Sequence, residues 1–396
     1  MNVVQICIGR FHHFHLARQL ERYGILEAIW TGYPRFKLKG ETGIPANKIH
    51  SFPWFQGSYM AGLRYGLTRL PWLEREWAWR AHQTLDWHVA AQLNHAVSLV
   101  ALSGSGLNAG RKAQSMGGHY VCDRGSSHIR YQDRILREEY SRWGLTFQGV
   151  DPRVIFKEEA EYQQADAITV PSEFVRRSFL EEGVPATKIH KIPYGARLDR
   201  FHKNADPDSG KFQVIWVGSV SVRKGFLYLL EAFQQFRHPQ KKLVVIGGVH
   251  HDLRQLLIGK NLEGVEFKGL VPNAQLADFY STANVFVLPS IEEGLAMVQG
   301  EALACGCPVI ASAHTGAEDL FTDGVEGFIV PIRSSSAIQE KLELLAQNPA
   351  MRQKMSEAAL FRVKQIGGWD TYGDAYAGFL ANLSGRSKNS GIKNCV

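Results

Sequence analysis

Short runs of β-branched and other apolar residues alternate with longer helix-type patterns along almost the whole chain. This alternation is the pattern of strand–helix–strand units, which build parallel sheets. A chain of 396 residues with 45% hydrophobic residues can form more than one sizeable core. The sequence therefore predicts an α/β fold of two or three domains. No internal repeat of about 20 to 50 residues is visible, which excludes solenoids and propellers.

The first half of the chain predicts one doubly wound unit. A polar stretch with Pro and Gly, HKNADPDSG at residues 202–210, separates it from the second half and is typical of an interdomain linker. The predicted strands of the first half are 3–8, 25–30, 98–103, 119–122 and 167–170, and helices are predicted at 14–23 and 156–164.

The second half repeats this order with more strongly apolar strands, so we expect two doubly wound domains that face each other. After residue 332 the pattern is helical only and ends in a polar tail. The predicted strands are 212–217, 243–246, 265–267, 285–288 and 308–311, and the predicted helices are 224–236, 274–282, 296–304, 337–347, 351–365 and 369–383.

Charge and cysteine usage narrow the class of protein. The net charge of +7 comes entirely from the first 200 residues, where 26 Lys and Arg face 19 Asp and Glu. Such an excess suits nucleic acid, an anionic membrane surface or an anionic substrate, and does not choose among them. The five scattered cysteines indicate a reduced, cytosolic protein, and the Cys305/Cys307 pair lacks the further ligands of a metal site. Neither a signal peptide nor an apolar run of about 18 residues is visible.

A pair of glutamates follows the predicted strand at 285–288. Glu293 and Glu301 are eight positions apart, and a predicted helix begins between them. If all eight residues were helical, the carboxylates would lie about 12 Å apart along the axis, a span that suits a long ligand. The amides of Gly294, Leu295 and Ala296, at the positive end of the helix dipole, suit a diphosphate. For either glutamate alone, an ordinary solvated helix residue is the simpler interpretation.

The segment PSIEEGLAMVQGEALACGCPVIAS, followed by HTGAEDLFTDGVEGFIVP, resembles the Glu-x7-Glu region of glycosyltransferase family 4. The resemblance extends over nearly the full chain. It implies the GT-B architecture, in which two Rossmann-like domains face each other and a C-terminal helix crosses back to the first. The implied boundaries are 1–201 for an acceptor-binding domain, 202–210 for a linker, 211–368 for a nucleotide-sugar-binding domain, 369–383 for the returning helix and 384–396 for a flexible tail.

The resemblance also implies an activity. It predicts a cytoplasmic, retaining enzyme that transfers a sugar from a nucleotide diphosphate sugar to a glycan or lipid-linked acceptor, as in surface polysaccharide assembly, without a metal or other cofactor. The departing phosphate would help to deprotonate the acceptor. Glu301 would hold the donor ribose, Glu293 the transferred sugar, and the amides of Gly294, Leu295 and Ala296 the phosphates or sugar.

The segment VIWVGSVSVRKGFLYLLEAF resembles the family's second conserved region. A cation there would stabilise the negative charge that the pyrophosphate acquires in the transition state. Lys224 is the first candidate, with Arg223 beside it and Gly218 and Ser219 at the donor. Ser219 stands where many relatives have an arginine, and a charged surface helix start is an alternative interpretation of Arg223.

Two first-domain segments depart from the family pattern. In GRFHHFHLARQL, Gly9 is retained from a glycine-rich loop, and His12 and His13 adjoin the expected cleft, where they would bind an anionic or sugar group. In HYVCDRGSSHIRYQDRI, Asp123 or His128 would replace the family's donor-contacting histidine. For His128, a hydrogen bond at a loop or helix start is an equal alternative.

Residues 54–80 are rich in Trp and Arg, which predicts either a peripheral contact with an anionic membrane or aromatic packing inside the first domain. No nucleic-acid motif accompanies them. The residues concerned are Trp54, Tyr65, Trp72, Trp77, Trp79, Arg64, Arg69, Arg75 and Arg80.

Two other functions are alternatives to the transferase. A two-domain nicotinamide dehydrogenase would need a Gly-x-Gly-x-x-Gly turn, which neither Gly247-Gly248 nor residues 103–110 supply. A sugar-binding relic of the same fold would not need Lys224, Glu293 and Glu301. The metal-binding Asp-x-Asp pattern of Asp206 and Asp208 lies in the predicted linker, away from any strand end, and is interpreted as chance.

Overall fold

The computed structural model describes residues 1–64, 71–195 and 200–385, without the side chains of residues 63, 64 and 71. Over these ranges the chain forms two sheets whose strand pairs are all parallel. The central strands are buried on both faces, as their continuous apolar sequences require. The predicted α/β class with two doubly wound units is confirmed.

The first sheet has seven strands within the described residues, in the order β3-β2-β1-β4-β5-β6-β7. Its strands are β1 (Val3–Cys7), β2 (Leu26–Thr31), β3 (Ile49–Ser51), β4 (Ser98–Leu102), β5 (His119–Asp123), β6 (Ala167–Val170) and β7 (Ile189–Lys191). The helices are α1 (His13–Arg22), α2 (Trp54–Arg64), α3 (Pro71–Gln92), α4 (Leu107–Ser115), α5 (Ile129–Arg142), α6 (Pro152–Gln164) and α7 (Glu173–Glu181), with 3-10 turns at Arg35–Leu38, Ala46–Lys48 and Ala186–Lys188.

The second sheet has six strands in the described ranges, in the order β10-β9-β8-β11-β12-β13. Its strands are β8 (Phe212–Val217), β9 (Lys241–Ile246), β10 (Val265–Gly269), β11 (Val285–Leu288), β12 (Val309–Ser312) and β13 (Gly327–Val330). The helices are α8 (Phe226–Gln235), α9 (His251–Leu257), α10 (Leu276–Ser281), α11 (Met297–Ala304), α12 (Ala317–Leu320), α13 (Ser335–Gln347), α14 (Pro349–Ile366) and α15 (Trp369–Leu383), with a 3-10 turn at Asn273–Gln275.

The last helix, α15, returns to the first domain as predicted. Its Tyr372, Tyr376 and Leu380 are buried in a core shared with β1, β2 and α1. Gln19 on α1 donates a hydrogen bond to Asp370, with 2.8 Å between Nε2 and Oδ1. The helix therefore contributes apolar side chains to a domain from which it is separated in sequence by the whole second sheet.

All ten predicted strands are present, with ends that differ by at most two residues. The strands that the sequence did not predict, β3, β7 and β13, each lie at the edge of a sheet and have three or four residues. The three residues of β3 and of β7 carry too little periodicity to be recognised.

Both sheets reverse their strand order beside their first strand, between β1 and β4 and between β8 and β11. In open parallel sheets, ligands bind outside the carboxyl ends of the strands at this switch point. The topology therefore directs attention to the loops after β1, β4, β5, β8 and β11. None of the described helices is long and apolar enough to span a bilayer.

Candidate active site

Two cations lie in the loop after β8, beside an acid from the loop after β11. Lys224 Nζ contacts Glu293 Oε1, and Arg223 Nη2 lies 3.9 Å from Glu293 Oε2. Gly225 has a φ of 72°, and a Cβ there would lie 2.0 Å from the Pro289 carbonyl oxygen. Only glycine permits this close approach. Helix α8 therefore begins after Gly225, and not at Lys224 as the sequence predicted.

Glu292, which the sequence did not single out, connects the two domains. Its fully buried carboxylate accepts hydrogen bonds from Ser126 Oγ (2.8 Å), Ser127 N (3.0 Å), Ser127 Oγ (2.8 Å) and Gln132 Nε2 (3.0 Å), all in the first domain. Arg223 Nε lies 2.9 Å from its Oε2. Burial alone would raise the pKa of Glu292, but the Arg223 charge and these hydrogen bonds lower it to about 2.

Glu292 and Glu293 both act on the Arg223 guanidinium. Burial acts to lower the pKa of Arg223, but the charges of Glu292 and Glu293 outweigh it and raise the pKa. The loop after β8 therefore presents a fixed positive charge at the carboxyl end of its sheet. A fixed charge of this kind can stabilise an anionic leaving group without reorganising during the reaction.

The segment from Glu293 to Ala296 is not helical, because α11 begins one residue after Ala296. The separation calculated for a continuous helix therefore does not apply. The Ala296 amide donates to the Thr315 carbonyl at 3.1 Å, so this amide already has a partner within the protein. Among the described residues, none accepts a hydrogen bond from the amide of Gly294 or Leu295, and these two amides keep the predicted role open.

Glu301 lies on α11, where Tyr280 donates a hydrogen bond to Oε2 at 3.3 Å. Burial raises the pKa of Glu301 to about 7, although the Tyr280 hydrogen bond acts in the opposite direction. Near neutral pH the carboxyl group therefore exists in both protonation states. A ligand hydroxyl that donates to the carboxylate would favour its charged form.

Gly218 and Ser219 follow directly after β8. Gly218 has a φ of 140°, in the region that favours glycine, and its carbonyl accepts a hydrogen bond from Trp216 Nε1 at 3.1 Å. A Cβ on Gly247 would lie 1.9 Å from that same carbonyl oxygen. The backbone at the carboxyl end of β8 is thus packed against the end of β9. This contact lies next to the loop with Arg223 and Lys224, called the cation loop below.

The domains touch at a glycine pair across the cleft. A Cβ on Gly294 would lie 1.8 Å from the carbonyl oxygen of Gly125. Ser172 Oγ donates to the Gly294 carbonyl at 2.6 Å. The absence of a side chain at Gly294 therefore allows the loops after β5 and β11 to meet in a closed arrangement.

A cavity of about 630 Å³ lies next to this contact, within the usual size range of small-molecule sites. Tyr194 lines this cavity. Met297 at the start of α11 and Trp369 at the start of α15 complete the wall. The loop containing Gly9 forms another side of the cavity. The Gly9 carbonyl accepts a hydrogen bond from Thr31 Oγ1 at 3.3 Å.

His12, His13 and Asp123 form one cluster at the cavity. His12 Nε2 lies 2.5 Å from Asp123 Oδ2, and His13 Nε2 lies 3.3 Å from the same oxygen. Thr169 Oγ1 donates to Asp123 Oδ1 at 2.6 Å. Burial would raise the pKa of Asp123, but His12 and the other partners lower it. These three predicted residues are brought together, and their donor atoms lie within 4.8 Å of one another, close enough to hold a metal ion.

His128 does not join this cluster, and its catalytic role stays a prediction. It caps α5, accepting a hydrogen bond from the Arg130 amide at 3.3 Å. Its ring packs against Tyr162 and Phe179, each with a centroid distance of 4.9 Å. Burial lowers the pKa of His128 to about 3 and keeps it neutral. The hydrogen bond at the start of α5 agrees with the helix-start interpretation.

A buried polar group under the cavity was also not predicted. Arg124 Nη1 lies 2.7 Å from Glu158 Oε2, and both residues line the cavity. His82, on the long helix α3, donates to or accepts from Ser105 Oγ at 2.7 Å. Arg124, Glu158, His82 and Ser105 come from separate elements. The one signal in the sequence was the position of Arg124 directly after Asp123.

The Trp- and Arg-rich segment forms α2 and the first part of α3. Trp54 and Trp72 are 74% and 65% exposed. Trp79, in contrast, lies under the Arg153 guanidinium, whose Cζ is 5.1 Å from the centre of the Trp79 ring. Arg75 donates to the Gly149 carbonyl at 2.8 Å. Tyr65, Arg69 and the side chain of Arg64 lie outside the described part. The segment thus combines packed residues with exposed tryptophans.

Comparison with solved structures identifies the architecture. Sucrose-phosphate synthase from Thermosynechococcus elongatus matches 98% of this chain and all of its own, with a TM-score of 0.71 and 20% identity. HepE from Anabaena, solved in complex with UDP, matches 96% of this chain and all of its own, with a TM-score of 0.68 and 16% identity. The chain has the GT-B fold.

Sequence comparison points to the second domain. Residues 199–360 match the family described as Glycosyl transferases group 1. A lipopolysaccharide 1,2-N-acetylglucosaminetransferase from Salmonella typhimurium is 29% identical over 250 residues, which cover 57% of this chain and 64% of that enzyme. The chain thus spans less than two thirds of this curated relative. The group 1 match includes the cation loop, Glu292, Glu293 and Glu301.

Proposed function

We propose that this GT-B protein is a retaining, family 4 glycosyltransferase of the hexosyltransferase type. It transfers a sugar from a nucleotide diphosphate sugar to a glycan or lipid-linked acceptor during surface polysaccharide assembly. The observation that carries this proposal is the Lys224–Glu293 pair, with Arg223 beside it, at the carboxyl end of the second sheet. The match to group 1 transferases and the relative that acts on lipopolysaccharide support it.

In this proposal the donor lies across the start of α11. The amides of Gly294 and Leu295 and the Lys224 ammonium bind the diphosphate, with Gly218 and Ser219 beside it, and no metal ion is required. Glu293 contacts the transferred sugar, and Glu301 accepts hydrogen bonds from the ribose hydroxyls. Arg223, which Glu292 holds in place, provides a second positive charge beside the leaving diphosphate.

The Lys224–Glu293 contact has a consequence for turnover. With no diphosphate present, the carboxylate neutralises the ammonium group, so Lys224 is held close to the place where the leaving group develops charge. Both side chains are mostly buried, at 21% and 11% side-chain exposure, which strengthens their electrostatic effect. Cleavage of the bond to the diphosphate then gives Lys224 a stronger partner, so the cation stabilises the transition state more than the ground state.

The acceptor is proposed to bind in the 630 Å³ cavity, on the first-domain side. We also propose that Trp54 and Trp72 bring the enzyme to the cytoplasmic face of an anionic membrane, where a lipid-linked acceptor would lie. This contact would be peripheral and would place the acceptor side of the cleft towards the lipid.

The test begins with thermal-shift measurements on UDP-, GDP-, ADP- and dTDP-sugars, because a ligand that binds only the folded protein raises its melting temperature. The stabilising donor is then incubated with candidate glycan acceptors, and the nucleotide diphosphate released and the anomeric configuration of the product are measured. A donor that binds and turns over with retained configuration supports the proposal. Binding with no turnover under any acceptor would favour a sugar-binding protein.

A further inference from the structure

A chain of four polar side chains crosses from the cavity in the first domain to the cation loop in the second. Arg124 Nη2 donates a hydrogen bond to Gln132 Oε1 at 3.0 Å, and Gln132 Nε2 donates to Glu292 Oε2 at 3.0 Å. Arg223 Nε donates to the same carboxylate oxygen at 2.9 Å. Because Arg124 lines the cavity, this chain connects the proposed acceptor side to the proposed leaving-group side.

Gln132, on α5 of the first domain, can take only one amide orientation in this chain. A guanidinium only donates hydrogen bonds and a carboxylate only accepts them, so Oε1 must face Arg124 and Nε2 must face Glu292. Nε2 also donates to Ser126 Oγ at 3.1 Å. The amide is therefore held at both ends, by one charged group from each domain.

Arg223 takes its orientation from Glu292. Its Nε lies 3.0 Å from the Glu292 carbonyl oxygen as well as 2.9 Å from Oε2. The Arg223 side chain is 37% exposed, so packing restrains only part of its surface. Nη2, at the other edge of the planar guanidinium, lies 3.9 Å from Glu293 Oε2. A shift of the Glu292 carboxylate would therefore turn the charged group relative to the proposed donor.

The first domain holds the Glu292 carboxylate in place. Its four donors from that domain are Ser126 Oγ, Ser127 N, Ser127 Oγ and Gln132 Nε2. Glu292 is fully buried. If the cleft opened, these four hydrogen bonds would be lost and the carboxylate could rotate in water. The position of Arg223 therefore depends on the contact between the domains, although Arg223 itself belongs to the second.

We propose that Gln132 and Glu292 are positioning residues that orient Arg223 at the leaving diphosphate when the first domain closes on the second. This inference rests on the proposed transferase function. A donor on the open second domain would meet the Lys224 ammonium first, and closure would add the oriented guanidinium. The positive charge at the leaving group is thus completed only after the cleft has excluded water from the reacting carbon.

A double-mutant cycle across the domain boundary tests this proposal, using the donor found by thermal shift. Gln132→Met keeps about the same shape but removes the hydrogen bonds of the amide. We expect it to lower kcat about ten-fold in the wild-type background, because the reacting groups are misplaced. Arg223→Gln alone should lower kcat by about 10- to 100-fold. In that background Gln132→Met should lower kcat by less than about two-fold, because the residue through which it acts is gone.

Two further measurements separate this role from a structural one. Donor affinity should not change in Gln132→Met, since Gln132 lies outside the proposed donor site, and equal melting temperatures without donor show that the variant is folded. A disturbance of the cavity through Arg124 would change kcat or the acceptor KM by the same factor in both backgrounds. Ser127→Ala, which removes one donor to Glu292 and leaves Gln132 in place, is the second variant. It should show the same dependence on Arg223 with a smaller fold-change.

Asp319→Asn is the matched control, because Asp319 is also a second-domain carboxylate that is bonded to the first domain. It accepts hydrogen bonds from the Glu173 amide and from Lys191 Nζ, both at 2.7 Å, and its side chain is 4% exposed. Within the described residues, neither Arg223 nor Lys224 is paired with it. Any change in kcat should therefore be the same factor with and without Arg223.

An equal fall in kcat for Gln132→Met in both backgrounds overturns the positioning role and leaves the transferase proposal standing. Wild-type kcat in Arg223→Gln also overturns the positioning role, because an oriented guanidinium would then contribute nothing to turnover. A wild type that turns over no sugar nucleotide overturns both proposals.

Discussion

The carboxyl ends of the two sheets present their functional groups in different ways. In the second domain the charged residues come from two short stretches of sequence, 223–224 and 292–301, which begin six and four residues after the ends of β8 and β11. In the first domain the cavity takes side chains from the ends of β1, β4 and β5, from α3 and α6, and from Trp369 on the returning helix. One site is encoded locally, and the other is assembled by tertiary structure.

This difference suits the proposed division of labour. A nucleotide diphosphate is a fixed chemical unit, and a helix start with adjacent cations can bind it in many proteins with little variation. An acceptor is specific to each enzyme, so its site must change between relatives. A cavity whose wall comes from many separate elements can change one side chain at a time without disturbing the donor site.

The contrast predicts the largest effect at a locally encoded cation. We expect Lys224→Ala to lower kcat by about 100- to 1000-fold with little change in donor affinity, because the ammonium group acts mainly on the charge of the leaving diphosphate. Steady-state kinetics with the identified donor measure both parameters. Lys242→Ala is the control, since Lys242 forms a comparable pair with Glu266 (2.7 Å) on the surface of the same sheet. Equal kcat values for the two variants would refute the assignment of Lys224.

A second substitution tests whether the two sites must close on each other. Gly294→Ala places a methyl group where only 1.8 Å separates it from the Gly125 carbonyl oxygen, so the loops must move apart. We expect kcat to fall about 10- to 100-fold, because small misplacements of the reacting groups cost this much. X-ray scattering should show a larger radius of gyration.

The control for Gly294→Ala is Gly248→Ala, where an added Cβ meets nothing within 4 Å. This variant should keep both kcat and the radius of gyration. If Gly294→Ala also keeps both kcat and the radius of gyration, the contact between Gly294 and Gly125 is unnecessary for catalysis. The two sites would then work together without domain closure.

The sequence was sufficient for ten of the strands because continuous apolar runs must be buried on both faces. It was not sufficient for the start of α8, because the left-handed conformation of Gly225 depends on its approach to Pro289. Nor did it indicate a role for Glu292 beside the assigned Glu293. Adjacent acids have the same local pattern, and only the fold shows that Glu292 points to the first domain and Glu293 to Lys224.

The first-domain site was harder to predict for the same physical reason. His12 and Asp123 were both candidates, but their pairing depends on β1, β4 and β5 being neighbours in the sheet. His128 was chosen for its position after β5, and only the fold shows its burial and its hydrogen bond at the start of α5. Sequence patterns report what is adjacent along the chain, and this site is adjacent only in space.

A smaller effect is expected at the exposed tryptophans of the first domain. Trp54→Ser with Trp72→Ser should lower co-sedimentation with vesicles containing anionic lipid by several-fold, because two exposed aromatic side chains no longer enter the interface. The second-domain variant Ile258→Ser, at a position that is 80% exposed, is the control for loss of a surface apolar residue. Unchanged co-sedimentation of the double variant would refute the proposal that the acceptor side of the enzyme contacts a membrane.

A further effect, on stability, concerns Glu301 and its protonation in the absence of donor. Its pKa is raised from 4.5 to about 7 by burial, so between these values the folded protein binds more protons than the unfolded chain. The stabilising difference is complete below pH 4.5 and is lost as the pH rises to about 7.

Unfolding measured from pH 5 to 8 should therefore show that wild type loses on the order of 2 kcal/mol of stability relative to Glu301→Gln, whose side chain does not ionise. Glu161, also raised by burial to a pKa of about 8, affects both proteins equally and cancels in the difference. With saturating donor, the stability of wild type relative to Glu301→Gln should no longer change with pH. Ribose hydroxyls that donate to the carboxylate would compensate for its burial. A donor that stabilises Glu301→Gln as strongly as wild type at pH 8 would show that this acid does not bind the ribose, and the locally encoded site would end at Glu293.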